Sequence, residues 1–211
     1  MNSFQTRGLL AALVVCAPLV GCSSGKPAEK LVAATAEHDM ANMPGMSAPV
    51  TIPKGAIFTE ADVHFMQGMI SHHAQAIFMS RLAAKRGANA RVLKFANKID
   101  QSQMAEIKLM QDWLRANGQT APDTSAYHTM MMPGMLSPEQ IKALDEARGA
   151  EFDRQFLTLM IQHHNGALKM VEDLLASPLA AQDVDVSVFA NDVTTVQTAE
   201  IATMQQMLGK F

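Results

Sequence analysis

Adjacent histidines framed by methionines occur twice in this chain, in the same register. The first copy is Met69-Ile70-Ser71-His72-His73-Ala74-Gln75-Ala76-Ile77-Phe78-Met79 and the second is Met160-Ile161-Gln162-His163-His164-Asn165-Gly166-Ala167-Leu168-Lys169-Met170. The same 91-residue offset pairs Asp62 with Asp153, Phe65 with Phe156 and Ala76 with Ala167. A duplicated unit of this kind must bury the same apolar face twice, and the simplest solution is for the two copies to bury their faces against each other.

The repeat runs on beyond the histidines. Phe95-Ala96-Asn97 matches Phe189-Ala190-Asn191 and Ala105-Glu106-Ile107 matches Ala199-Glu200-Ile201, now at an offset of 94, so the second connection has gained three residues. Thr59-x-x-Asp62 has the form of a helix start, and a periodic segment follows to Arg86 before Gly87. A second segment spans about Asn89 to Asn117 and stops at Gly118. Ser137-Pro138-Glu139-Gln140 combines an N-cap serine, proline at the first helical position and glutamine two residues later. A short helix to about Arg148 is expected there, then a long one over about Ala150 to Ala176, stopped by Ser177-Pro178, and a last one over about Asp183 to Leu208. No alternating strand-like run competes. The expected fold is all-α: a four-helix bundle over 57–211 built from a duplicated helical hairpin. Repeat 1 covers about 59–117, repeat 2 about 150–209, and a methionine-rich connection 118–149. Two copies are too few for a solenoid.

At about 100° per residue, Met69, His72, His73 and Ala76 share one side of a helix, and Met79 lies two turns above His72. Pseudo-twofold packing would bring Met69, His72 and Met79 to face Met160, His163 and Met170, a set of imidazoles and thioethers suited to a soft metal. One histidine on an apolar face is ordinarily a packed boundary residue, and methionines at helical spacing ordinarily fill core. Four imidazoles near one core are harder to place without a partner. Di-iron bundles need Glu-x-x-His on their helices; here the glutamates are replaced by Met69 and Met160, which disfavours iron and manganese and favours copper. Glu106 and Glu200 stand at matched positions and are candidates to orient the imidazoles, or equally solvated charges on a helix face.

The connection between the repeats carries Tyr127-His128-Thr129-Met130-Met131-Met132-Pro133-Gly134-Met135. His128, Met130, Met131, Met132 and Met135 are candidate ligands, since exposed methionines with no task would invite oxidation. His38, Met40, Met43 and Met46 form a similar cluster within residues 22–56, which read as a flexible tether. That stretch fits a soft-cation site and a compositionally biased linker equally well. Ahead of it, residues 1–21 have one positive charge at Arg7, an apolar run over Gly8 to Val20 too short to span a bilayer, and then Cys22. Leu19-Val20-Gly21-Cys22 resembles the lipobox of bacterial lipoproteins, which implies cleavage before Cys22, lipidation of its sulfur and a membrane anchor; Ser23 resembles an outer-membrane sorting signal. Cys16 leaves with the signal and Cys22 is modified, so soft-metal chemistry would rest on thioethers. The formal charge of -3 shows no basic excess, which argues against nucleic acid as a partner.

Met-Pro-Gly-Met-Leu-Ser-Pro-Glu-Gln, Gly149-Ala150-Glu151-Phe152-Asp153 and Met160-Ile161-Gln162-His163-His164-Asn165-Gly166-Ala167 together resemble the domain-of-unknown-function family numbered 305. The resemblance covers about Phe58 to Phe211 and implies a ferritin-like four-helix bundle in exported bacterial proteins, some of them tied to copper binding and tolerance. It carries a ligand role to Met69, His72, His73, Met79, Met160, His163, His164, Met170 and the Met-Pro-Gly-Met loop. The function expected is a lipid-anchored envelope protein, not an enzyme, that binds copper as Cu(I), with Ag(I) as an alternative cargo. Mobile methionine-rich segments would capture the ion and the bundle would hold it, for sequestration or for delivery to a copper-handling partner protein. The rival functions are a structural or partner-binding envelope module and a metal-dependent oxidoreductase.

Overall fold

The computed structural model describes residues 50–210. The expected signal segment, Cys22 and the expected tether positions His38, Met40, Met43 and Met46 lie outside the described residues. Five α-helices follow one another: α1 (Glu60–Lys85), α2 (Ala90–Ala116), α3 (Pro138–Glu146), α4 (Gly149–Ala176) and α5 (Val184–Leu208). A 3-10 turn (Thr124–His128) interrupts the connection between α2 and α3. The described residues contain no strand.

The helix starts are where side-chain chemistry puts them. Thr59 and Asp62 form a reciprocal capping box at α1, and Ser137 and Gln140 form another at α3. Asn89 and Asp183 cap α2 and α5 through their side-chain oxygens. α1–α2 and α4–α5 are the two hairpins, and α1 packs on α4 at the centre of the four-helix bundle. The direction of that central pair follows from its ends: the amide of Gly149, which opens α4, bonds the carbonyl of Arg86, which closes α1. α1 and α4 are therefore antiparallel.

The duplicated aspartates perform the same task in both halves. Buried Asp62 accepts the amide of Ala181 in the second hairpin's turn at 2.7 Å, and buried Asp153 accepts the amide and side-chain amide of Asn89 in the first. Each repeat thus ties down the turn of the other. The second turn, three residues longer than the first, contains Leu179 and Ala181, both with positive φ. This is a strained region for residues with a Cβ, and the bond to Asp62 holds Ala181 in it.

The repeats differ in how they are covered. α4 buries a stripe at helical spacing, from Phe152 through Phe156, Met160, His163 and Ala167 to Met170, Val171 and Leu174. α1 is buried on all sides from Asp62 to Ile77, because α2, α4 and the methionine-rich connection all pack on it. Residues 129–136 form a strap across α1 and α4. The side chain of Gln75 clamps it at both ends of its amide, donating to the Leu136 carbonyl at 3.1 Å and accepting the Leu136 amide at 2.7 Å. The strap is held against α4 by a backbone-to-backbone contact that only glycine permits. A Cβ on Gly166 would lie 1.9 Å from the Pro133 carbonyl oxygen, and Gly134, with φ +76, meets the Gly166 backbone in turn.

Candidate metal centre

A helix turns about 100° per residue, so two consecutive histidines point to two different neighbours. His72 faces α4, where its ring lies 3.8 Å from that of His163. His73 faces α2, where its Nε2 is 2.6 Å from a carboxylate oxygen of Glu106. The second repeat mirrors this: His163 faces α1, and His164 Nε2 is 2.8 Å from Glu200 on α5. The result is a row, Glu106–His73–His72–His163–His164–Glu200, crossing all four long helices. Adjacent rings within each doublet are 6.4 Å apart.

All four imidazoles are fully buried. Five of their ring nitrogens, Nδ1 of each and Nε2 of His163, have no hydrogen-bond partner. Buried polar atoms are ordinarily paired, so five orphaned lone-pair or N–H sites in one layer are exceptional for a core that serves packing alone. His72 is pushed down to about 3 by burial, with the neighbouring His73 and His164 adding to the effect and the Pro133 carbonyl opposing it. Burial and the other three histidines likewise lower His163 well below its ordinary value, against a smaller opposing effect of the His72 backbone. Both are neutral at physiological pH, which is the form that donates to a metal.

The carboxylates at the two ends differ. The Glu200 side chain is 3% exposed and has Lys98 Nζ 3.3 Å from its other oxygen, whereas that of Glu106 is 27% exposed. Burial opposes ionisation of Glu200, but the hydrogen bond and charge of His164, with Lys98 beyond, prevail and its pKa is lowered. Both glutamates are engaged by imidazoles, so neither is simply a solvated helix-face charge.

The thioethers do not gather in one set as the facing repeats suggested. With α1 and α4 antiparallel, Met69 and Met170 join the core on one side of the histidine row, and Met79 and Met160 join it on the other. Met204 and Met207 of α5 accompany the second pair. On the first side the strap adds Met130, Met132 and Met135, which are 2%, 4% and 5% exposed. Met132 and Met170 both approach Gly68, where a Cβ would be 3.5 Å from one sulfur and 3.3 Å from the other's methyl. The Ser71 hydroxyl donates to the Met130 sulfur at 3.1 Å. The expectation of a mobile capture segment is therefore corrected: glycine contacts and the Gln75 clamp seat the strap, and its buried methionines complete the core over α1. Of the candidate ligands in this connection, Met131, 53% exposed, and His128, its ring tilted against Tyr127 at 4.0 Å, face outward.

Sequence reasoning missed the residues through which the strap acts. The Pro133 carbonyl accepts from His72 Nε2 at 3.1 Å, and Gln75 and Gly166 hold that carbonyl in place. Gly166 is the one strong signal available, since glycine inside a helix is unfavourable without a packing reason. His64 was also passed over; it is buried on α1 and lies 3.9 Å from Glu60. Among the described residues no three His, Cys, Asp or Glu side chains converge as a ready-made metal cluster.

Fold and site together define an all-helical bundle whose buried centre is furnished with imidazoles and thioethers. Residues 62–208 match the family described as domain of unknown function (DUF305), and the chain belongs to that family. A DUF305 fragment from Deinococcus radiodurans is 30% identical with a TM-score of 0.63, covering 73% of this chain and 99% of that one. A DUF305 protein from Streptomyces coelicolor, described as secreted, is 26% identical with a TM-score of 0.63, covering 71% and 93%. CopM in its Cu(I)-bound form is 27% identical with a TM-score of 0.56, covering 71% and 96%. CopM has also been solved with Cu(II) and with silver. No curated protein sequence matches the chain.

Proposed function

We propose that this protein binds copper as Cu(I) in the bacterial envelope, through imidazole and thioether ligands, and stores the ion or passes it on. The observation that carries this reading is the row of four buried imidazoles with five unengaged nitrogens, flanked on both sides by buried methionine sulfurs. Neutral imidazole and thioether are the ligands a soft monovalent cation prefers, and neither adds charge that the core would have to bury. CopM, which shares the fold and 27% of its residues, holds Cu(I), Cu(II) and silver. The signal segment ending at Cys22 and the relative described as secreted support an extracytoplasmic location with a lipid anchor.

Ligand exchange is the only chemistry required. The outward Met131 and His128 meet the ion first, with the tether residues His38, Met40, Met43 and Met46 as further collectors. The strap's buried Met130, Met132 and Met135, in the same core cluster as Met69 and Met170, offer the next soft ligands. Each transfer exchanges one soft ligand for another, so no step strips the ion bare.

The test is an anaerobic Cu(I) competition titration of the full chain with Cys16 and Cys22 replaced by serine, so that no thiol competes. The parent should bind tightly, a His72→Ala/His163→Ala variant weakly, and a variant with Met130, Met131, Met132 and Met135 changed to leucine more slowly. Absence of tight binding in the parent sinks the reading and leaves a structural or partner-binding module as the better account.

A further inference from the structure

The hydrogen bonds around the imidazole row decide which ring nitrogen is left to act. A backbone carbonyl has no proton to give, so the 3.1 Å contact between His72 Nε2 and the Pro133 oxygen places the proton on Nε2. The same holds for His73 and His164, whose Nε2 atoms lie 2.6 Å and 2.8 Å from carboxylate oxygens of Glu106 and Glu200. In each of these three rings Nδ1 is buried and meets no partner. His163 stands apart, with neither nitrogen engaged.

We propose that Glu106, Glu200 and the Pro133 carbonyl are positioning groups that hold His73, His164 and His72 with the proton on Nε2, so that whichever of these rings takes part in binding a soft cation does so through Nδ1. The inference rests on the soft-cation reading above and specifies its geometry. Two carboxylates and one backbone carbonyl thus take the outer role that metal-bound imidazoles ordinarily assign to a hydrogen-bond acceptor, which fixes ring orientation and raises ligand basicity. The strap breaks the pseudo-twofold symmetry: it supplies an acceptor to His72 and none to His163. His163 is consequently the ring whose nitrogens have no side-chain or strap acceptor, and it lies between the two thioether pairs, Met69 with Met170 and Met79 with Met160. It follows that the two central histidines, although matched in the repeat, are not equivalent.

The experiment is heteronuclear NMR of the imidazole nitrogens in the full chain at neutral pH, with Cys16 and Cys22 replaced by serine, first metal-free and then titrated with Ag(I), which is diamagnetic. The metal-free spectrum should show the neutral rings of His72, His73 and His164 with their proton on Nε2. Added Ag(I) should shift Nδ1 of whichever of these rings bind it while Nε2 keeps its proton. Glu106→Gln and Glu200→Gln preserve side-chain size but offer an amide that can donate as well as accept. They should release the tautomer of the ring they face and weaken Ag(I) binding about 10–100-fold. The parent spectrum tests the tautomers even where a variant fails to fold. Rings protonated at Nδ1, or Ag(I) shifting Nε2, would overturn the assignment while leaving soft-cation binding standing. Folded glutamine variants with parental tautomers and affinity would overturn it as well. A parent chain that binds no Ag(I) would sink both the assignment and the function it rests on.

Discussion

Replacing Gly166 with alanine tests whether the strap is a seated part of the core. The added Cβ would lie 1.9 Å from the Pro133 carbonyl oxygen and 2.5 Å from Gly134 Cα, where real Cβ contacts stay beyond 3.0 Å. The obstacle is backbone on both sides, so no side chain can swing away, and the strap must retreat by about 1.1 Å. Overpacking of this kind destabilises by about 1–3 kcal/mol. The retreat also stretches the His72–Pro133 bond and leaves a buried N–H and carbonyl poorly paired, for a further 1–3 kcal/mol or so. Against this, alanine is about 1 kcal/mol better than glycine inside a helix. The net loss should be about 3 kcal/mol, within a range of roughly 1–5. Urea denaturation of the metal-free variant should show a lower midpoint, and Cu(I) or Ag(I) should exchange faster with the loosened strap. A variant that is more stable by the helix-propensity gain alone would refute the seated-strap account.

Three further outcomes follow from particular contacts. The folded-state pKa of His72, about 3, lies below its ordinary 6.5, so the unfolded chain binds the extra proton as pH falls. Stability of the metal-free protein should therefore fall from about pH 6.5 down toward 3, by up to about 1.4 kcal/mol per pH unit from this ring, and His163 adds in the same direction. Urea midpoints measured across that range check it, and a flat profile counts against buried neutral imidazoles. Asp153→Ala removes the acceptor for both the amide and the side chain of Asn89 and should destabilise by about 2–3 kcal/mol in thermal or urea unfolding. Asp62→Ala should behave alike, through the loss of Ala181. Leucine at Met69 and Met170, or at Met79 and Met160, nearly conserves volume and should change stability by less than about 1.5 kcal/mol per site. Whichever pair also weakens Ag(I) binding by an order of magnitude marks the side of the row that holds the ion; loss in neither pair removes the thioethers of α1 and α4 as ligands.

Much of the architecture is written in local patterns. The capping boxes at Thr59 and Ser137, the stops at Gly87, Gly118 and Ser177-Pro178, and the two-register repeat place the helices because they depend on neighbours in the chain. The matched Glu106 and Glu200 could be nominated as partners for the histidines for the same reason: a repeat preserves relations between hairpin arms. The thioethers are different. Spacing along one helix groups Met69 with Met79, but only the antiparallel crossing of α1 and α4 decides that Met69 shares a side with Met170 and Met79 with Met160. Composition marks the 129–136 segment as rich in soft ligands and says nothing of whether it stands free. Its docking depends on contacts more than thirty residues distant in the chain, from Pro133 to Gly166 and from Leu136 to Gln75. Local chemistry determined where the helices begin and end and which side chains could bind a soft metal. Long-range packing, which no local spacing encodes, decided that the imidazoles form one row, that three of them are held at Nε2, and that the strap closes over them.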